Sequence, residues 1–291
     1  CYSFTLTPLR YPVLMTINVF CILLFAALLH ASWNAIVKAS GDKMYAAISV
    51  SGSAAVIALL LLPFAPQPTL ASAPYLLLSS ALQVVYTVLV AKTYQVSDMS
   101  QTYPLMRGTA PLLVAIVSVV FLGDRLSPLA WSGIGVICLA ILAMAYNGRA
   151  SSRRGVVLAL INACFIAGYT LVDGTGVRLS GSALGYTLWS FLMNGSCLLG
   201  WATIARRHEV SRYLRQHWHK GLLGGISTMG SYGLALWAMT QAPLAVVAAL
   251  RETSILFGAL IAFVLLKERV IPLRIAAACG IAAGAILLRL S

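Results

Sequence analysis

Tyr103-Pro104-Leu105-Met106-Arg107-Gly108-Thr109-Ala110-Pro111 is the opening stretch of an apolar run that continues to Leu122. Because an α-helix rises about 1.5 Å per residue, Arg107 would lie roughly 10 Å inside such a run. A permanent charge at that depth is costly in an apolar environment, and ionisable residues that persist there usually serve a function. We therefore predict that the fold surrounds this arginine.

The same pattern returns 144 positions further along the chain. Arg107 then aligns with Arg251, and Asp124 aligns with Glu268, without a gap. Two deep arginines at equivalent positions predict a site that is built on pseudo-symmetry between two halves. The other matched residues are Thr109 with Thr253, Arg125 with Arg269 and Pro128 with Pro272.

The composition predicts an integral membrane protein. The 291 residues are 60% hydrophobic and only 9% charged, with a mean hydropathy of +0.90, whereas soluble domains carry about 25% charged residues. The net charge of +13 does not indicate nucleic acid as a partner, because the basic residues lie mostly between apolar runs, as they do in membrane proteins. Most cysteines lie inside apolar runs and show no metal-ligand spacing, so we expect no metal site, cofactor or catalytic residue.

Ten apolar stretches are about as long as a membrane-spanning helix, which needs roughly 20 residues. Residues 1–14 contain two prolines and have no helical period, so they are interpreted as an N-terminal tail rather than a signal peptide, and Met15 could be the natural start. Because backbone groups must be satisfied internally in a bilayer, we predict an all-α bundle. The spans are residues 16–38, 44–63, 74–95, 100–122, 128–147, 155–174, 183–204, 220–240, 244–266 and 272–290.

An odd number of spans per repeat places the second copy upside down in the membrane. The chain therefore predicts two inverted five-helix repeats, residues 15–147 and 155–290. Secondary transporters built in this way hold their substrate near the middle of the bilayer, between the repeats.

The layout resembles the EamA-type, ten-helix branch of the drug/metabolite transporter superfamily. The resemblance rests on the tails Gly-Asp-Arg-Leu-x-Pro (123–128) and Lys-Glu-Arg-Val-x-Pro (267–272), each before a Gly/Ala-rich last helix, and on Ser32-Trp33-Asn34 in the first helix. It covers about residues 16–290. It implies a carrier of small organic solutes, such as amino acids, nucleotide sugars and other metabolites, often directed outward.

Charge placement and the resemblance disagree about orientation. The resemblance implies that both termini are cytoplasmic. The odd-numbered loops hold fourteen Lys and Arg residues, whereas the even-numbered loops and termini hold four. Because positive loops stay in the cytoplasm, we expect the termini outside a bacterial-type inner (plasma) membrane. The segment 206–220, which holds several of these charges, is expected to be a solvated segment at the lipid headgroups.

Arg107 and Arg251 are the leading substrate-binding candidates. The planar guanidinium suits a carboxylate or a phosphate, so two of them facing one cavity predict an anionic or zwitterionic substrate. The alternative is that each arginine pairs with an acid or with carbonyl groups and holds helices together. Glu252 is predicted to couple transport to protons, or else to be the counter-ion of an arginine on another helix.

Polar and aromatic side chains on other spans complete the candidate set. The first span has a polar and aromatic face that includes His30, Trp33 and Asn34, and its histidine is a second coupling candidate. Ordinary interhelical packing is the alternative for each of them. The substrate-binding predictions are Arg107, Arg251, Trp33, Asn34, Tyr103, Tyr86, Tyr169 and Tyr232, and the coupling predictions are Glu252 and His30.

Three further expectations concern helix ends and packing. Pro104 and Pro111 could break the fourth span near the site, or could be ordinary kinks. Asp98 and Asp173 are expected to cap solvated helix ends. Gly/Ala-rich stretches near 133–145 and 276–285 allow close helix packing and could support a homodimer.

These features predict a secondary transporter that works by alternating access, with the site between the two repeats. The expected partners are a small metabolite, membrane lipid and either protons or a counter-solute. An integral-membrane enzyme or accessory subunit acting on a lipid-linked substrate is the alternative. The enzyme would need a nucleophile with a base or a clustered metal site, and the sequence contains no such motif.

Overall fold

A computed structural model describes residues 15–97, 99–145, 152–205, 207–264 and 272–291. These residues form α-helices joined by short connections, which confirms the predicted all-α class. The helices are α1 (Ile17–Lys38), α2 (Lys43–Leu61), α3 (Ala73–Val96), α4 (Met99–Phe121), α5 (Pro128–Ala145), α6 (Arg153–Ser180), α7 (Ala183–Ala205), α8 (Arg207–Met239), α9 (Leu244–Arg251), α10 (Ser254–Val264) and α11 (Pro272–Arg289).

Eight segments of the described chain are long and apolar enough to cross a membrane. They include α9 and α10 taken together as Leu244–Val264, and they do not include α7 or α8. Large apolar side chains cover the outside of the bundle, for example Phe64, Phe121 and Ile204, which are 86%, 77% and 89% exposed. An apolar exterior around buried charges is the arrangement of a protein whose solvent is lipid.

The tenfold division of the chain recurs in the helices, with four differences. The eighth helix begins at Arg207, well before its predicted start at 220, and has non-helical backbone angles at His217. The ninth predicted span is interrupted, because α9 ends at Arg251 and α10 begins at Ser254. The fourth runs through both of its prolines as one helix, so the break lies in the other half of the molecule. The sixth extends to Ser180, where Gly181 ends it in a left-handed conformation at φ 68° that costs glycine least.

The Gly/Ala-rich helices α5 and α11 pack directly against each other. A Cβ added at Gly284 would lie 2.8 Å from the carbonyl oxygen of Gly133 and 2.5 Å from Cγ1 of Ile137. Only glycine allows this approach, as in other membrane helix pairs with small residues at the contact. These small-residue faces are therefore occupied within the chain, and the homodimer stays a prediction.

The helix contacts are similar when the two halves are exchanged. Helix α3 packs on α6, and its counterpart α8 packs on α1; α4 packs on α6, while α9 and α10 pack on α1. An inverted repeat would produce this pairing. The repeat boundaries at 15–147 and 155–290 stay a prediction. Residues 1–14 and the second tail at 267–272 fall largely or wholly outside the described residues.

Asp124 and Arg178 tie the helix ends together on one side of the bundle. Arg178 donates from Nε to the carbonyl of Met239 at 2.8 Å and from Nη2 to that of Ala242 at 3.1 Å. These bonds satisfy carbonyls at the C-terminal end of α8. A carboxylate oxygen of Asp124 lies 3.8 Å from Nη1 of Arg178. The Gly-Asp-Arg tail thus helps to position the connection that leads into α9.

Candidate functional site

Arg107 and Glu252 form an ion pair in the middle of the bundle. Nε and Nη2 of Arg107 each lie 2.9 Å from a different oxygen of the Glu252 carboxylate. The two side chains are only 9% and 6% exposed. This two-point geometry is the strongest arrangement that an arginine and a carboxylate can adopt. It joins α4 in the first half of the chain to the α9–α10 junction in the second half.

The interruption of the ninth span positions Glu252. The N–H groups of Glu252 and Thr253 bond three residues back, to Ala249 and Leu250, at 3.1 Å, in place of the four-residue spacing of an α-helix. The Thr253 hydroxyl donates to the Leu250 carbonyl at 2.7 Å. These bonds satisfy backbone groups that the break would otherwise leave unpaired. Because the chain turns at Glu252, its carboxylate points to Arg107 on the neighbouring helix.

Arg251 occupies a different environment from Arg107. Its guanidinium carbon lies 5.0 Å from the centre of the Tyr232 ring, a cation–π contact. Within the described part of the chain Arg251 makes no ion pair, and it is partly exposed. The two arginines that the repeat matches are thus unequal, because Arg107 is paired with Glu252, whereas Arg251 has no ion-pair partner within the described residues.

Three predicted tyrosines lie around Arg107. Tyr86 and Tyr169 meet edge to face with ring centres 5.8 Å apart. Both of these rings, together with Tyr103, lie close enough to Arg107 to interact with its charge. Phenol rings supply an apolar face and a hydroxyl that can donate or accept. The structure therefore brings this part of the predicted set together.

Of the predicted residues of α1, His30 lies near both arginines. His30 is within electrostatic reach of Arg107 and Arg251, and its ring contacts Trp33 edge to face at 5.3 Å. Asn34 donates to the His30 carbonyl at 2.8 Å, so its amide is used within its own helix. The indole N–H of Trp33 is buried without a hydrogen-bond partner among the described residues. Such a donor is costly to leave unpaired, and a polar ligand atom could pair with it.

The expectation that Asp173 caps a solvated helix end is wrong. Asp173 lies inside α6 and is completely buried. Its Oδ1 accepts from the Tyr186 hydroxyl at 2.9 Å, and its Oδ2 accepts from Tyr232 and, at 3.3 Å, from Gln83. Asp98, which had the same expectation, lies outside the described residues.

Two glycines explain why Asp173 was misplaced. Gly174 and Gly176, followed by Arg178, are typical of a helix end. In the structure they allow neighbours to approach, since a Cβ at Gly174 would lie 2.5 Å from Cδ2 of Leu244 and one at Gly176 would lie 2.5 Å from the Tyr186 hydroxyl. The signal for the true end was Ser180-Gly181-Ser182, which would have placed Asp173 well inside the helix.

Tyr232 links the Asp173 cluster to Arg251. Its ring lies under the guanidinium of Arg251, and its hydroxyl donates to the carboxylate of Asp173. Asn194 of α7 extends the network by donating to Gln83 at 3.2 Å. The site therefore has two charged centres joined by one aromatic ring. It can receive an anionic group at Arg251 and a cation or proton at Asp173.

Comparisons with known proteins agree with the resemblance noted from the sequence. The family model of the EamA-like transporter family matches residues 153–290. A solved crystal structure is similar in fold, with a TM-score of 0.65 and 16% identity over 93% of this chain and 96% of that chain. No curated protein matches the sequence. These findings confirm the drug/metabolite transporter resemblance, and the structural likeness concerns the fold alone.

Proposed function

Since residues 153–290 match the model of the EamA-like transporter family, we propose that this chain is a carrier that moves a small organic anion or zwitterion across the membrane. The family match and the membrane-spanning helices support a multi-pass membrane transporter of the drug/metabolite type.

The observation that carries the proposal is that Arg251 makes no ion pair within the described part of the chain. A guanidinium binds a carboxylate or phosphonate through two parallel hydrogen bonds. Arg107 cannot offer this contact while both oxygens of Glu252 occupy its fork. Arg251, stacked on Tyr232 and partly exposed, retains its donors for a solute. We infer that Arg251 binds the anionic group and that Arg107 fixes the helix break that presents Arg251.

The placement of these residues fits alternating access. Arg107 belongs to the first half, whereas Arg251 and Tyr232 belong to the second. Arg107 pairs with Glu252 of the second half, and Arg251 is within electrostatic reach of His30 of the first. A solute bound there would be exposed to either side in turn as the halves rock. Discontinuous helices such as α9 and α10 commonly surround such solutes, because their free backbone groups add hydrogen bonds.

Transport by the purified protein in liposomes tests the proposal. Vesicles loaded with unlabelled solute are placed in the same labelled solute at low concentration, and exchange is followed for alanine, acetate and methylphosphonate. We expect saturable exchange of at least one of these probes. Arg251→Gln should reduce its apparent affinity by roughly 10- to 100-fold, since a hydrogen bond to a charged group contributes about 1.5–3 kcal/mol.

Arg212→Gln is the matched control, because it removes the same charge from an exposed position on the polar first part of α8. It should exchange the probe like the unmodified protein. Equal exchange by the Arg251→Gln and Arg212→Gln proteins would show that Arg251 does not bind the solute. Exchange only of organic cations or neutral aromatics would remove the anionic substrate class.

A further inference from the structure

Asp173 is a buried carboxyl group with a complete shell of neutral donors. Tyr186 donates to one oxygen, and Tyr232 and Gln83 donate to the other. The Ser79 hydroxyl also bonds to the carboxyl and accepts from the Gln83 amide at 3.0 Å. No arginine, lysine or histidine in the described chain forms an ion pair with Asp173. Its charge is therefore stabilised by dipoles rather than by a fixed counter-ion.

This shell can satisfy Asp173 with or without a proton. A charged carboxylate accepts from all four donors. A protonated carboxyl donates one hydrogen bond, and a tyrosine hydroxyl can rotate and accept it, because hydroxyl groups both donate and accept. Both states of a buried group must be satisfied if it is to switch between them at low cost.

Glu252 differs from Asp173 in this respect. Its two oxygens are each held at 2.9 Å by Arg107. A proton added to Glu252 would leave the Arg107 charge buried and unpaired, which is strongly unfavourable in known buried pairs. Although the sequence predicted coupling through Glu252, this contact makes Asp173 the better proton acceptor.

The buried charges point to the consequence of protonating Asp173. Arg107 and Glu252 cancel each other, which leaves Arg251 and Asp173, linked by Tyr232, as the second pair of opposite charges. When Asp173 takes up a proton, the positive charge of Arg251 is no longer balanced. We propose that Asp173 is a proton-binding site and that the carrier takes one proton together with each substrate anion. This inference rests on the proposed carrier function.

Among the charged residues near Asp173, Arg251 is the one that protonation of Asp173 affects most directly. On α4, Arg107 interacts with Tyr169 but is already neutralised by Glu252. On α1, His30 lies beside the two arginines. The other groups that face Asp173 are uncharged at neutral pH. They are Ser79, Gln83 and Tyr75 on α3, of which Tyr75 lies beside Tyr186, and Tyr169 on α6, Tyr186 on α7 and Tyr232 on α8.

In the proposed step, a proton from the open side bonds to a carboxylate oxygen of Asp173. The Tyr232 hydroxyl rotates from donor to acceptor, and the anion binds at Arg251. The loaded carrier then opens to the other side. One proton and one singly charged anion together add no net charge to the site during this change. When the proton and the anion are released on the other side, Asp173 is again negative and lies opposite the positive Arg251.

The pH dependence of anion binding distinguishes this role from a structural one. Calorimetric titration of the purified carrier with acetate, alanine or methylphosphonate, corrected for protonation of the probe, should show an affinity that decreases as pH rises, by up to about tenfold per pH unit. Asp173→Asn mimics the neutral carboxyl. It should bind the same probe with the affinity that the unmodified protein has at low pH, at every pH tested.

Two results of the titration would overturn the proposal. One is an Asp173→Asn protein whose affinity follows the same pH dependence as the unmodified protein. The other is a folded, monodisperse Asp173→Asn protein with weakened binding at all pH values, which would make Asp173 a structural residue. Asp124→Asn is the matched control, because it makes the same change at a carboxyl at the end of the bundle. It should retain the unmodified pH dependence.

Infrared difference spectroscopy tests the proton site without any substrate. A pH jump applied to the carrier in detergent should produce a protonated-carboxyl C=O band that is absent from Asp173→Asn and present in Asp124→Asn. A spectrum without such an Asp173-dependent band overturns the proposal even if anions bind. A band present while none of the three probes binds would instead count against the proposed anion site and leave Asp173 as a proton site.

Discussion

At the residue scale, the two matched arginines have different partners. Their positions deep inside apolar runs, and the repeat spacing of the two arginines, were sufficient to select Arg107, Arg251 and Glu252 as candidates. They could not decide which arginine pairs with Glu252, because that depends on the direction in which the chain turns between α9 and α10. In the structure, Glu252 pairs with Arg107 through two contacts of 2.9 Å, and Arg251 packs on the ring of Tyr232.

Breaking the buried pair should destabilise the folded protein. Arg107→Gln leaves the Glu252 carboxylate without its counter-ion at 5% exposure, and removal of one partner of a buried pair costs about 3–5 kcal/mol. Replacing both residues, as Arg107→Met with Glu252→Leu, removes the unpaired charge and should recover much of this loss. Reversible unfolding in detergent measures the difference. A double variant less stable than either single variant would show that the pair is not the source of the stability.

The missed residue at this scale is Asp173. Asp173 was expected at a solvated helix end because the sixth span was predicted to end at residue 174. Gly174 and Gly176 instead allow Leu244 and Tyr186 to pack closely against a continuing helix, and such long-range packing is not visible in a single sequence. Tyr232 was found because aromatic residues in spans are natural candidates, but its hydrogen-bond partner Asp173 was not.

At the element scale, the prolines and the helix break lie in different halves. Pro104 and Pro111 are inside α4, which remains one helix, since neighbouring helices can support a kinked backbone. The break between α9 and α10 contains no proline, only Glu252 and Thr253. The sequence left two alternatives open for the prolines, a broken helix or an ordinary kink, and α4 is continuous. The break at Glu252 has no proline to mark it in the sequence.

The α5–α11 contact gives a prediction about packing. Gly284→Ala should lower the free energy of unfolding by about 1–3 kcal/mol, because its new methyl group would meet backbone atoms of the facing helix. Gly135→Ala is the matched control, since a Cβ there has nothing within 4 Å. It should be neutral or stabilising by up to about 1 kcal/mol through higher helix propensity. Similar destabilisation of both proteins would contradict this account of the contact.

At the scale of the whole molecule, hydropathy and loop lengths were enough to predict an all-helical membrane protein. The division into ten spans was recovered with one interruption, an extension of α6 to Ser180 beyond the predicted end at 174, and an α8 that begins at Arg207, before the predicted start at 220. The face that each helix turns inward could not be predicted, because nearly every position in a span is apolar. The buried polar residues gave the only guide to it.

Membrane orientation is a separate prediction of the charge distribution. The excess of Lys and Arg in odd-numbered loops predicts that both termini lie outside the cytoplasm. Fusions of alkaline phosphatase and of green fluorescent protein to Ser291 measure this, because the first is active outside and the second fluoresces inside. We expect phosphatase activity without fluorescence. Fluorescence without phosphatase activity would favour the orientation that the family resemblance implied.

A thermal-shift screen of the purified protein tests the central claim, that Arg251 binds an anionic group of the solute. The ligands are amino acids, phosphonates, sugar phosphates, organic cations and neutral aromatics. A ligand that binds only the folded state raises the melting temperature by mass action. We predict stabilisation by anions or zwitterions that is lost in Arg251→Gln and kept in Arg212→Gln. Stabilisation by cations or neutral aromatics alone, unchanged in Arg251→Gln, would contradict the account.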